Sequence, residues 1–210
     1  VEFNKICKKE KNDSLLMLGL IQEMEMRECV EDLSKHEDIR SKIDSILTKH
    51  PSYIAIYFER LGLTESFFER WPKAIKNYLE AENIYLRKND QAAIANLYMS
   101  MADVYDQLND HHKAKSYLMR IKDFMDSKRD HLNDDYYNTL GWVCYRNGDL
   151  DSALMFIRQS KDYHINLSPG NPELAYPIGN LGLIYRKLGM LDSAAKYSEQ
   201  AIDLFTKINH

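Results

Sequence analysis

Hydrophobic and small residues along the chain recur at helical spacing and also with a long internal period. The large apolar side chains of Tyr98, Met101 and Tyr105 are three and four positions apart, which places them on one face of an α-helix. Small residues on comparable helical segments recur at positions 62, 102, 141 and 182. Internal repetition of this kind predicts an array of similar helical units.

A series of alanines, at positions 74, 114, 153 and 194, runs in step with the small residues. Each alanine follows its small residue by 12 positions, and both series advance by 40, 39 and 41 residues. Two antiparallel helices joined by a tight turn can approach closely only where their side chains are small. The two series therefore predict four copies of a helix pair.

The turn inside each pair requires a residue that tolerates left-handed backbone. Gly148 and Gly189 suit this position and Asn109 is the next best choice, whereas Glu69 in the first copy is not expected there. Pro177 predicts that the ninth helix starts late or bends near residue 176. The predicted helices span residues 14–33, 36–49, 52–69, 72–87, 90–108, 111–126, 132–147, 150–164, 173–188 and 191–207.

The best copy reads Leu181-Gly182-Leu183-Ile184-Tyr185 and continues with Gly189, Ala194 and Ala201. This pattern, over residues 53–208, resembles the tetratricopeptide repeat. The family's usual period is about 34 residues, and the longer period here is similar to that of kinesin light chains and of peptide-sensing regulators of bacilli. The resemblance implies an all-α fold, a right-handed α-α superhelix of about five antiparallel helix pairs.

The predicted organisation is a polar lead-in at 1–13, a degenerate helix pair at 14–51 and one continuous domain from 52 to 210. The four repeats in that domain span 52–88, 90–127, 132–166 and 173–208. Some apolar side chains of the last helix are expected to need a cover, and the candidates are Leu191, Ala194, Ala195, Tyr197, Ile202 and Phe205. We therefore expect a longer parent protein, or a homodimer formed through this end.

Composition excludes several classes of function. With a net charge of -4 the chain lacks the excess of positive charge that binds phosphates, so we expect no direct contact with nucleic acid. Three scattered cysteines predict neither a disulfide framework nor a zinc site. No apolar run approaches the roughly 20 residues that span a bilayer. His111 and His112 are expected to be exposed turn residues and Cys144 a packed thiol, so the sequence predicts no catalytic residue, metal or cofactor.

The family uses the first helix of each pair to line a concave surface. The relevant positions lie six and three residues before the small residue and one and four after it, and we call them the first-helix face. By this resemblance they are Ile56, Glu59, Leu63 and Ser66; Asn96, Met99, Asp103 and Asp106; Asp135, Asn138, Trp142 and Tyr145; and Tyr176, Gly179, Leu183 and Arg186, with Asn180 beside the last set.

Ten of these residues are candidate ligand contacts. Aromatic rings give an extended peptide its contact area, and asparagine amides bind its backbone. For Trp142 and Tyr145 the alternative is packing between neighbouring helices, and Arg146 and Lys187 are expected to be solvated edge charges. The candidates are Asn96, Met99, Asp103, Asn138, Trp142, Tyr145, Tyr176, Asn180, Leu183 and Arg186.

One departure and one match qualify the family resemblance. The lysine-and-asparagine clamp that grips chaperone C-termini is absent, since Glu59, Met99 and Gly179 stand at its cation positions. Asn180, by contrast, precedes Leu181-Gly182 as the peptide-gripping asparagines do in long-repeat relatives. The expected function is a non-catalytic peptide- or protein-binding domain, the sensory or scaffold part of a larger bacterial transcriptional regulator.

Alternatives remain open at this point. One is a structural assembly protein that uses its end or convex faces, and another is an enzyme whose chemistry lies in a further domain. The expected compartment is the cytoplasm, with the periplasmic sensor domain of a membrane-anchored protein as the alternative.

Overall fold

A computed structural model describes residues 13–29, 34–121, 130–168 and 172–208 of the chain. Within these ranges the chain is helical and contains no strand. The described ranges contain ten α-helices, α1 Asp13–Cys29, α2 His36–Lys49, α3 Ile54–Phe67, α4 Trp71–Lys88, α5 Gln91–Gln107, α6 His111–Ile121, α7 Asp130–Arg146, α8 Leu150–Leu167, α9 Ala175–Lys187 and α10 Leu191–Ile208. The chain forms two compact units, residues 1–100 and 101–210.

The helix boundaries agree with the sequence pattern to within a few residues. A 3₁₀ turn at Pro172–Leu174 precedes α9, so this helix begins late, at Ala175, and Pro177 lies in its first turn, where its missing N–H is not needed. Residues 30–33 and 122–126, predicted as the ends of two helices, lie outside the described residues.

Close approach of the paired helices explains the small residues. A Cβ added at Gly62 would lie 2.4 Å from the Tyr78 ring, and one at Gly141 would lie 2.6 Å from the Ile157 side chain. At Gly182 it would lie 2.9 Å from Ser198 Oγ and 3.3 Å from the Ser198 backbone nitrogen. Each contact is with the residue four positions after the partner helix's alanine. The role predicted for the glycines is confirmed.

The turns within the pairs have the predicted left-handed backbone. Asn109, Gly148 and Gly189 have φ values of 59°, 82° and 78°. Glu69 also adopts left-handed backbone, with φ 55°, although its side chain disfavours that conformation. The left-handed position is therefore set by the packing of the first pair and not by the residue type.

Aspartates begin three of the helices. The carboxylate of Asp90 accepts a hydrogen bond from Ala93 N at 3.1 Å, that of Asp110 from Lys113 N at 3.1 Å and that of Asp149 from Ser152 N at 3.2 Å. These are side-chain N-caps, which satisfy backbone donors that the first turn leaves free.

The N-terminal unit contains the helix pair α1–α2, which precedes the regular repeats. Its core is made of aliphatic side chains from both helices, and Ile56 and Tyr57 of α3 pack against it. The buried residues of this core are Leu16, Met17, Leu20, Ile21, Ile39, Ile43 and Ile46.

Two equivalent tyrosine stacks strengthen pairs in the C-terminal unit. Tyr105 stacks on Tyr117 with ring centroids 5.5 Å apart, and Tyr185 stacks on Tyr197 at 5.3 Å. Both pairs join a first helix to its second helix, three residues after the small residue and three after the alanine. Across the described ranges, no helix has the length and apolar character that crossing a membrane requires.

Candidate functional site

Two asparagines join successive first helices in the C-terminal unit. Asn180 of α9 donates a hydrogen bond from Nδ2 to Oδ1 of Asn138 in α7, at 2.9 Å. The residues are 42 positions apart in sequence. An asparagine side chain has one carbonyl and one amide group, so Asn180 keeps its carbonyl oxygen and Asn138 its amide nitrogen for further hydrogen bonds.

Trp142 and Tyr145 form an aromatic pair beside these asparagines on α7. Their rings are stacked with centroids 5.3 Å apart and planes 26° from parallel. Both residues are half-buried, so they are neither fully exposed for a ligand nor fully packed between helices. They pack on each other and keep part of their surface accessible.

Arg146 is half-buried and not the solvated edge charge that was expected, whereas Lys187 is exposed as expected and still contacts the preceding pair. Arg146 of α7 donates to Asn109 Oδ1 at 2.9 Å and reaches the Asp106 carbonyl at 3.5 Å. Lys187 of α9 donates to the Tyr145 carbonyl at 3.2 Å and lies 4.6 Å from the centroid of the Tyr145 ring. Both cations thus reach carbonyls at the ends of the preceding first helices, where the helix dipole favours positive charge. These carbonyls also accept backbone hydrogen bonds, from Asn109 N and Gly148 N.

The two aspartates on the first-helix face of α5 differ in exposure. Asp103 is exposed as a residue, yet burial of its carboxyl against protein atoms and repulsion from Asp106 raise its pKa. Asp106 is only 4 % exposed, so it is not available on the face as predicted. Its carboxylate lies 2.7 Å from His111 Nδ1 and 3.6 Å from Arg146 Nε.

This contact also corrects the expectation for His111. The imidazole is largely covered rather than exposed, because it lies against a carboxylate five positions earlier. His112, its neighbour, is exposed as expected. The His111–Asp106–Arg146 cluster joins α5, α6 and α7, which gives it a structural role.

The remaining candidates of the C-terminal unit differ in exposure. Leu183 is half-buried and Arg186 is exposed. Tyr176 is 58 % exposed, and its ring packs edge-on against Phe205 of α10 with centroids 5.4 Å apart. The side chain of Asp135 lies outside the described part of the structure.

In the N-terminal unit, Asn96 is exposed and Met99 is half-buried on α5. Glu59 on α3 accepts a hydrogen bond from Tyr85 Oη of α4 at 2.6 Å. Burial, followed by the hydrogen bond to this carboxylate, raises the pKa of Tyr85 well above its usual range. Glu59 is therefore engaged within its own helix pair.

No catalytic constellation appears among the described residues. Cys144 is fully buried, and burial raises the pKa of its thiol despite the nearby Lys115 ammonium. A thiol in that state is a poor nucleophile, which agrees with the prediction of a packed cysteine. Over the same described ranges, no group of three or more His, Cys, Asp or Glu side chains could hold a metal ion.

Sequence reasoning missed one pocket, which lies in the N-terminal unit between α1 and α3. Its volume is about 360 Å³, and Leu63 is its only residue on the first-helix face. Phe67 was the sequence feature that could have indicated this pocket. It lies five residues after Gly62, and the third and fourth repeats have Arg146 and Lys187 at the equivalent position. An aromatic residue at a position that later repeats give to a cation marks a local difference in function or packing.

Family models decide the relationship of the chain. Two models, both described as tetratricopeptide repeat, match residues 95–123 and 135–207. The chain is a tetratricopeptide repeat protein. No curated protein matches it in sequence.

Solved structures of low sequence identity share the tetratricopeptide-like fold. BtubC from P. vanneervenii has a TM-score of 0.82 at 18 % identity, over 99 % of this chain and 87 % of that one. A Podospora anserina protein, described as kinesin light chain with nearly identical TPR-like repeats, has a TM-score of 0.68 at 14 % identity, over 94 % and 98 % of the two chains. These similarities support a helical-repeat fold.

A protein-interaction or scaffold role follows from membership of this family. Repeats of this type are generally non-catalytic scaffolds. The residues that bind, and what they bind, are a separate question.

Proposed function

We propose that this tetratricopeptide repeat protein binds an extended peptide segment of a partner on the first-helix face of α7 and α9. The observation that carries the proposal is the Asn138–Asn180 hydrogen bond, at 2.9 Å. It fixes two side-chain amides on neighbouring helices, next to half-buried aromatic rings. The unused carbonyl of Asn180 and amide of Asn138 match the alternating donors and acceptors of an extended backbone.

The aromatic pair supplies the contact area for this ligand. Trp142 and Tyr145 are held by mutual stacking and by Lys187 over the Tyr145 ring, so little side-chain entropy is lost when a peptide covers them. Leu183 on α9 adds apolar surface. Asp103 and the exposed Arg186 bear opposite charges, so the peptide's own charges would help to fix its direction.

The test measures binding of a random peptide array by fluorescence to purified protein. We expect Trp142→Ala and Asn180→Ala each to weaken the hits by about tenfold or more, as truncation of a central interface residue does. Asn166→Ala is the matched control, because Asn166 is an exposed asparagine on the second helix α8. If both substitutions on the face leave every hit unchanged, the ligand binds elsewhere.

A sensory or scaffold role in a larger bacterial regulator is the biological setting we propose for this binding. Sequencing of the surrounding gene would test it by showing whether a DNA-binding, membrane or export segment belongs to the same protein. A second candidate function is assembly through α10, favoured by Leu191 and Ile202, which are 67 % and 64 % exposed.

A further inference from the structure

The N-terminal unit has a pocket that is separate from the face proposed above. It lies between α1 and α3 and has a volume of about 360 Å³, within the range of roughly 300–1,000 Å³ typical of ligand sites. Leu18 and Ile21 line it from α1, and Leu63 and Phe67 line it from α3. This volume suits one or two apolar side chains of a partner better than an extended chain.

Phe67 differs from the equivalent residues of the later repeats. Five residues after Gly141 and Gly182, Arg146 and Lys187 reach back to carbonyls of the preceding first helix. Phe67, five residues after Gly62, is instead 75 % exposed, and its ring packs edge-on against Phe68 at 5.3 Å. A phenylalanine so exposed beside a pocket with aliphatic side chains on both helices is typical of an interaction site, and Gln22, Arg60 and Thr64 complete the described lining.

Arg60 gives the pocket its charge. It is the one charged residue in the lining, and in the described residues it forms no ion pair. The acidic side chains near the lining in sequence are already engaged: Glu59, next to Arg60, accepts the hydrogen bond of Tyr85 Oη at 2.6 Å, Glu23 lies 3.1 Å from Arg27, and Glu65 lies 3.6 Å from Arg70. Because none of these carboxylates lines the pocket, the charge of its described lining is positive, and an incoming carboxylate would complement it.

We propose that this pocket is a binding site for a partner protein segment in which a leucine or phenylalanine lies next to an aspartate or glutamate. The apolar side chain enters between Ile21 and Leu63 and covers Phe67, and the carboxylate pairs with Arg60. The free energy comes from apolar area removed from water, whereas the ion pair selects among apolar segments. The site does not depend on the peptide site of the C-terminal unit.

The test uses labelled peptides of about ten residues with a central leucine or phenylalanine, flanked by aspartate, serine or lysine. Fluorescence anisotropy with the full chain should show the tightest binding for aspartate flanks. Phe67→Ala should weaken it by about tenfold, and Arg60→Glu should reverse the preference to lysine flanks. Met155→Ala is the control, because Met155 is 49 % exposed but lies on α8 in the C-terminal unit.

Circular dichroism would show that the variants keep their helices, as expected for changes at exposed side chains. Three results would overturn the proposal: no binding of any peptide up to about millimolar concentration, equal binding by Phe67→Ala and the unsubstituted protein, or tightest binding with lysine flanks. A loss of binding in Met155→Ala as large as in Phe67→Ala would also contradict it. Trp142→Ala should leave these peptides unaffected, which separates this site from the first proposal.

Discussion

Gly182 and Gly179 lie one turn apart in α9 but have different neighbours. A Cβ at Gly182 would meet Ser198 Oγ at 2.9 Å and its backbone nitrogen at 3.3 Å, whereas a Cβ at Gly179 would meet Ala201 Cβ at an ordinary 3.7 Å. A repeat glycine is therefore required by the backbone of the facing helix. A glycine outside the repeat positions is not.

We expect Gly182→Ala to reduce the free energy of unfolding by about 1–3 kcal/mol, because the helices must move apart. Gly179→Ala is the matched control and should be neutral or stabilising by up to about 1 kcal/mol, since alanine has the higher helix propensity. Urea unfolding followed by circular dichroism measures both. Equal effects of the two substitutions would show that close packing at position 182 is unimportant.

Residue type alone was enough to predict this packing but not the identity of the side chain opposite. Tyr78, Ile157 and Ser198 face the three glycines and differ widely in size. The spacing of small residues in the sequence gives the point where two helices approach most closely. The size of the side chain that faces each glycine depends on the detailed packing of that pair.

At the scale of the helix, ends are determined by caps as much as by hydrophobic periodicity. Asp149 accepts a hydrogen bond from Ser152 N at the start of α8 and lies 3.0 Å from Lys115 Nζ of α6. The hydrogen bond from Lys115, followed by those of Ser152, lowers the pKa of Asp149 below its ordinary value. One carboxylate therefore starts one helix and links it to another pair.

Asp149→Asn should keep the cap, since its amide oxygen can accept the same hydrogen bond, but lose the ion pair. Because the folded-state pKa is lowered, the ionised carboxylate stabilises the fold above about pH 4, and this contribution is lost as the pH falls through the folded value. We expect the variant to be less stable by up to about 1 kcal/mol near pH 7. The difference should disappear at an acidic pH below the folded value.

Urea unfolding at the two pH values measures this difference. Both proteins keep Ser152, whose backbone N–H bonds to the side-chain oxygen at position 149. The cap is therefore the same in both, and only the charge differs. A stability difference that persists at the acidic pH would show that the substitution acts through packing and not through charge.

At the scale of the whole molecule, the outer surface of α10 is the clearest exposed apolar feature of the C-terminal unit. Leu191 is 67 % exposed and Ile202 is 64 % exposed. Apolar residues left uncovered at the edge of a repeat array favour association with another helix or another copy.

If this surface forms a homodimer, light scattering should show a mass that rises with concentration towards twice that of the chain. Leu191→Glu together with Ile202→Glu should abolish the rise by placing charge in the interface. Phe67→Glu is the control for an exposed apolar residue in the other unit. A strict monomer at about millimolar concentration would contradict the assembly function.

The sequence by itself determined the helix pairs and their period. The spacing of small residues, the left-handed turn positions and the apolar faces are local properties, since each depends on residues at most about 12 positions apart. They predicted the helices, the close approach of each pair and the family. They also placed Asn138 and Asn180 on comparable faces of two helices.

Only the tertiary structure decided which side chains meet between pairs. The Asn138–Asn180, Arg146–Asp106 and Lys187–Tyr145 contacts join residues about 40 positions apart. A long cation at a helix end can extend to solvent or fold back to a neighbouring carbonyl, and the local pattern is the same in both cases. The difference lies in the distance between successive pairs, which is fixed by packing across the whole repeat.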